Sequence, residues 1–191
     1  MRSLIKKISQ CEVCIHHLPA GVNPLVQLHA ESKILLIGQA PGKKAHESGI
    51  PWNDKSGETL RKWLNVSAEQ FYDPKLFSIM PMGFCYPGKG KSGDLAPRAE
   101  CAPLWHELIM KKFKSPPLIL LVGQYAQQYY LGEKRAATLT ETVKHYKDFL
   151  PRYFPLPHPS PRNQHWVKKN SWFTKEVIPE LQKRMKRALE K

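Results

Sequence analysis

The chain is short of acid. Its 191 residues hold 16 aspartates and glutamates against 30 lysines and arginines, a formal net charge of +14 at neutral pH. A field of that sign gathers polyanions and speeds encounters with them. Nucleic acid is the first partner this suggests and an anionic membrane surface the second; a basic, solvated surface without a partner is the plain alternative. Long apolar runs are also missing, so no segment is expected to cross a bilayer. The opening MRSLIKKISQ lacks the apolar stretch of a secretory leader, which sets the expected location as cytoplasmic, beside the nucleoid. There is no internal repeat and no long low-complexity segment. With 41% hydrophobic and 24% charged residues, the chain is expected to fold as a single domain over 1–191.

Cysteine is scarce and patterned. Cys11 and Cys14 form a C-x2-C pair, Cys85 and Cys101 lie far downstream, and there is no other. Four thiols so placed suggest one metal or cluster site tying the irregular segment 1–30 to the middle of the chain. Zinc and an iron–sulfur cluster are the occupants that thiolate chemistry favours. Two disulfides or four unrelated core thiols are the alternatives, and the lack of a leader weighs against disulfides.

A phosphate-cradling P-loop is absent as well. In YPGKGKSGD the spacing from Gly88 to Lys91-Ser92 does not match G-x4-G-K followed by Ser or Thr, which sets nucleotide hydrolysis aside. Lys89 and Lys91 in this loop, with Arg98, remain candidate phosphate contacts.

What is present is an alternation of apolar strands and amphipathic helices. Lys33–Ile37, Leu76–Met82 (cut short by Pro81), Pro117–Val122 and Arg152–Leu156 read as strands. Glu58–Leu64 reads as a helix with Leu60, Trp63 and Leu64 on one face. Ala99–Phe113 reads as a helix with Leu104, Leu108 and Ile109 inward, and Asn170–Glu190 as a long terminal helix; 124–131 and the basic stretch 134–150 lie between them. This order predicts an α/β fold, a three-layer α/β/α sandwich on a mostly parallel four-stranded sheet. Ligands in such folds bind at the carboxyl ends of the strands. Loops beginning at Gly38, Gly83 and His158 fall on that edge, which predicts one cleft.

The first of these loops, Gly38-Gln39-Ala40-Pro41-Gly42, offers tight turns and a carboxamide; a plain turn is the alternative. The last, His158-Pro159-Ser160-Pro161-Arg162-Asn163, holds a histidine stiffly between prolines and ends in a cation. A structural histidine is one reading. The other is a rigid wedge suited to a base stack and its phosphates.

Together with Ile50-Pro51-Trp52 and Ser56-Gly57, these loops resemble the uracil-DNA glycosylase superfamily. The cysteine arrangement is similar to its family 4, and HPSPRN is similar to the single-strand-selective monofunctional branch. The resemblance runs from Cys11 to about Phe173. It implies a base-excision repair glycosylase that hydrolyses the N-glycosidic bond of uracil or another damaged base, without a lyase step. It implies a 4Fe–4S cluster on Cys11, Cys14, Cys85 and Cys101, with zinc the lesser alternative. His158, Gln39 and Ala40 take the catalytic positions. Gly38, Gln39, Trp52 and His158 take the base-binding ones, with His158 donating to a carbonyl oxygen of the leaving base and Trp52 stacking on it. Ser160, Pro161, Arg162 and Asn163 would contact DNA, Arg162 filling the gap left by the flipped base. The partner is DNA, with single-stranded DNA open as a substrate, and the protein is expected to be a monomer.

Two departures stand out. Gln39 and Ala40 replace the acidic side chains that relatives use on water, leaving His46, Glu47 and Asp54 as candidates. Met80-Pro81-Met82 lacks the asparagine that reads uracil's edge in relatives, so the excised base stays open. A catalytically weak or inactive DNA-binding protein on the same scaffold is the alternative reading.

Overall fold

The computed structural model describes residues 1–115 and 117–190; the expected domain also takes in 116 and 191, which lie outside the described residues. Its elements, in order, are α1 (Arg2–Ser9), β1 (Ile34–Ile37), α2 (Lys43–Ser48), α3 (Lys55–Leu64), α4 (Ala68–Tyr72), β2 (Phe77–Ile79), β3 (Lys89–Gly90), β4 (Gly93–Asp94), α5 (Glu107–Met110), β5 (Leu118–Val122), α6 (Gln124–Leu131), α7 (Leu139–Lys144), β6 (Tyr153–Leu156), α8 (Gln164–Lys169) and α9 (Ile178–Leu189).

Four strands form one sheet in the order β2-β1-β5-β6, every pair parallel. The strands are apolar because helices cover both faces, except for Ser78 of β2, which is buried with its hydroxyl paired to Ser32 Oγ at 2.7 Å. Side chains alternate across β1, and the two faces feed separate cores. Ile34 and Leu36 pack with Leu60, Leu64 and Phe71 from α3 and α4, and with Leu181 and Met185 from α9. Leu35 and Ile37 pack with Leu4 and Ile8 of α1, Ile109 of α5, and Ala126 and Leu131 of α6. This is the expected three-layer sandwich.

Some elements differ from the sequence reading. Segment 1–30 opens with a helix rather than irregular chain, because Leu4 and Ile8, four residues apart, bury together in the second core. An eight-residue helix is marginal alone, so docking accounts for it. The helix expected over 99–113 contains a π-helical stretch, Ala102–His106. The wider turn re-aims the helix: Ala102, His106 and Ile109 are buried, while Leu104 and Leu108, expected inward, are 42% and 46% exposed. The terminal helix likewise begins with a π-helical stretch, Phe173–Val177, before α9. The stretch 134–150 is divided among α7 and short 3-10 turns. The glycine-rich loop after Gly83 is a two-stranded antiparallel hairpin, with Lys89 opposite Asp94 and Gly90 opposite Gly93.

The topology fixes where a ligand can enter. From β1 the chain goes to β2 on one side, then crosses back to β5 on the other. The ends of β1 and β5 are therefore the switch point, where the following loops diverge and leave a crevice.

Candidate active site

The Gly38–Gly42 loop leaves β1 at this crevice and is held by its neighbour. Met82 N–H donates to Gly38 O and Gly83 N–H to Gln39 O, each at 2.9 Å, so the chain after β2 continues the ladder past Pro81, which has no N–H. The Gln39 side chain lies across the end of β5. Gly123 there has φ +88°, and a Cβ on it would stand 2.8 Å from Gln39 Nε2. The glycine that closes β5 thus makes room for the carboxamide.

Trp52 is seated in the same way. Its backbone takes φ 59°, unusual for a bulky residue. Its indole lies on Gly38, where a Cβ would come within 2.8 Å of Cζ2, and its carbonyl lies against Gly57, where any side chain would collide. The indole stacks on His158, with ring centroids 5.5 Å apart and planes 27° from parallel. Asp54 accepts from Gly57 N–H at 2.8 Å, capping α3 and fixing the turn that carries Trp52.

His158 follows β6. Asn163 Nδ2 donates to the His158 carbonyl at 2.8 Å, and Ser160 Oγ accepts from Arg162 N–H at 3.3 Å, so the loop is braced by its own side chains. Burial pushes the His158 pKa below its ordinary value, against the pull of Asp54 and Asp94. Burial thus favours the neutral imidazole.

These segments wall a single cavity of about 490 Å³. Gly38, Gln39, Ala40, Trp52, His158, Ser160, Arg162 and Asn163 line it, joined by Asp54, Pro81, Ser92, Gly93 and Asp94. Among the sequence-predicted residues, Pro161, Lys89 and Lys91 do not line it; all three are exposed nearby in the chain. His46 and Glu47 do not line it either. His46 Nε2 lies 3.1 Å from Ala20 O, and Glu47 pairs with Lys43 on an exposed helix face.

Behind the cavity sits a residue that the sequence reading missed. His106, 1% exposed, has Nε2 3.1 Å from Pro81 O and Nδ1 2.8 Å from Tyr130 Oη. A carbonyl only accepts, so Nε2 carries the proton and the tyrosine hydroxyl donates to Nδ1. Burial lowers the His106 pKa from 6.5 to about 4. The unfolded chain therefore binds a proton that the folded one refuses, and stability falls as pH drops through that interval. Between pH 6.5 and 4 the wild type should lose about 3 kcal/mol more than a His106→Gln variant, read from urea unfolding at each pH.

The four cysteines are free thiols, Cys11 half-buried and the others buried. Cys14 and Cys85 pack with Leu18. Burial is the main cause raising the thiol pKa values of Cys14, Cys85 and Cys101, the last to about 12, and each of these thiols also feels the charge of other cysteines in the set. Yet among the described residues no three His, Cys, Asp or Glu side chains could hold one metal ion. An iron–sulfur cluster takes one thiolate per iron and so suits a more open set. The four cysteines do not form the closed four-ligand grip of a structural zinc site.

The site is a cleft at the switch point of a parallel sheet, walled in part by the Trp52 ring. Residues 26–182 match the description "Uracil DNA glycosylase superfamily". The chain belongs to that superfamily, enzymes that hydrolyse N-glycosyl bonds in DNA, and it is a DNA glycosylase by class. A type-4 uracil-DNA glycosylase of Thermotoga maritima is 21% identical over 163 residues, covering 84% of this chain and 81% of the relative. The crystal structure of wild-type SMUG2 from Pedobacter heparinus aligns with a TM-score of 0.35 at 15% identity, over 84% of this chain and 74% of that one. No helix among the described residues is long and apolar enough to cross a membrane.

Proposed function

We propose that this protein is a monofunctional base-excision glycosylase that takes uracil or another damaged pyrimidine-like base, flipped out of DNA, into the cavity between Gln39 and His158. The observation that carries the reading is the convergence of the Gly38–Gly42 and His158–Asn163 loops on one cavity of about 490 Å³ that also holds Trp52. Bond cleavage leaves negative charge on the departing base, and His158 donates a hydrogen bond to its carbonyl oxygen. A neutral donor preorganised in a dry pocket is worth most where that charge develops. Gln39 meets the base edge, and Trp52 supplies a stacking surface, commonly worth about 1–3 kcal/mol per base. Ser160 and Asn163 hold the His158 loop in shape. The basic surface, with Lys89, Lys91 and Arg162 near the mouth, attracts the DNA backbone and makes binding salt-dependent.

No lysine lines the cavity among the described residues, so there is no amine to form a Schiff base with the sugar. That favours base release without strand cleavage. A 4Fe–4S cluster on Cys11, Cys14, Cys85 and Cys101 would supply structure, fastening segment 1–30 to the sheet. The test is a panel of oligonucleotides, single- and double-stranded, each with one modified base. At least one should yield strand breaks after alkali and none before it. Absence of alkali-labile sites across the whole panel overturns the reading.

A further inference from the structure

The loop after β1 has no acid with which to handle water, yet the cavity is not without carboxylates. Asp54 and Asp94 line it, the only two among the described residues. Asp54 is engaged as the cap of α3 through Gly57 N–H. Asp94 has no such duty. It ends the hairpin opposite Lys89 and receives the Tyr86 hydroxyl on Oδ1 at 3.4 Å. Its Oδ2 faces the first loop, where a Cβ built on Gly42 would stand 3.5 Å away. It also acts on His158 across the cavity, favouring the protonated ring.

The hairpin that carries Asp94 is fastened to the opposite wall. Arg162 Nη1 donates to Ser92 O at 2.5 Å, and Gly93 runs so close beneath the guanidinium that a Cβ there would stand 2.7 Å from Nη1. In this arrangement Arg162 is a clasp between the His158 loop and the hairpin.

We propose that Asp94 is the general base that holds and deprotonates the attacking water, with Arg162 as a positioning residue that sets the hairpin; this rests on the glycosylase reading above. The water oxygen bonds to C1′ of the sugar as the C1′–N bond breaks. The bonding pair leaves with the base, whose carbonyl oxygen His158 stabilises. The water proton passes to the Asp94 carboxylate and then to solvent, and solvent protonates the released base. The same carboxylate offsets the positive charge that builds on the sugar.

The test pairs single-turnover base release with binding of two abasic analogues in the same oligonucleotide, a neutral tetrahydrofuran and a cationic pyrrolidine. Asp94→Asn should slow release about 100-fold, the usual weight of a general base, and should lose the wild type's preference for the cationic analogue. Asp54→Asn keeps a capping side chain and should cost less than about tenfold. Release by Asp94→Asn within about threefold of wild type, or a full preference for the pyrrolidine, overturns the assignment. So does an Asp54→Asn loss as large as that of Asp94→Asn. A wild type that releases no base from the panel and binds both analogues equally overturns the glycosylase reading itself, and the role of Asp94 with it.

Discussion

His158→Ala should lower single-turnover base release by about 10²–10³-fold while leaving DNA affinity nearly unchanged. The magnitude follows from the surroundings of the ring. Trp52 covers one face at 5.5 Å between centroids, and burial favours the neutral imidazole. A donor so placed acts little on a neutral substrate carbonyl and strongly on one that has gained charge, so its removal falls on the rate rather than on binding. The sign of the pH effect is set as well. Burial lowers the pKa of the ring from its ordinary value, so the proposed role as a neutral donor predicts a rate that does not fall across neutral pH. Equal losses of affinity and rate would show instead that His158 serves only to bind. Asn163→Ala makes a milder companion, since it removes the 2.8 Å brace on the His158 carbonyl and leaves the ring in place.

The second large effect belongs to the thiols. Cys85→Ala should abolish the broad visible absorbance of an iron–sulfur cluster and lower stability by at least about 3 kcal/mol, a fall in Tm of about 6–12 °C for a chain of this size. Cys85 sits between the two parts it joins. It packs with Cys14 and Leu18 of the N-terminal segment, and Phe84 next to it lies in the second core. Without the proposed cluster, segment 1–30 would keep α1 docked through Leu4 and Ile8 and would lack the link through Cys85. Colourless wild-type protein containing one equivalent of zinc would refute the cluster assignment.

The sheet was legible because each central strand is a continuous apolar run closed by a turn, and such runs report burial on both faces. The loops around the cavity were legible for the same reason: glycine and proline mark where strands end, and strand ends are where this fold opens. What escaped is non-local. Asp94 lay in a stretch read as a glycine-rich loop, because strands of two residues carry no periodicity. His106 is one of eight histidines, and nothing near it in sequence announces Tyr130 or the Pro81 carbonyl. Leu104 and Leu108 were placed inward by regular helical spacing, which a π-helical turn does not obey. The engagement of Arg162 with Ser92 was hidden because the partner is a backbone atom.

The seat of Trp52 bears on how this enzyme can change. Its indole rests on Gly38 and its carbonyl on Gly57, with no room for a methyl group at either place. The floor of the pocket is therefore set by two hydrogen atoms. Mutational drift cannot raise that floor from behind without dislodging the ring. Replacing the tryptophan itself is the step that reshapes this wall directly, and it leaves the Gln39 side of the cavity as it is.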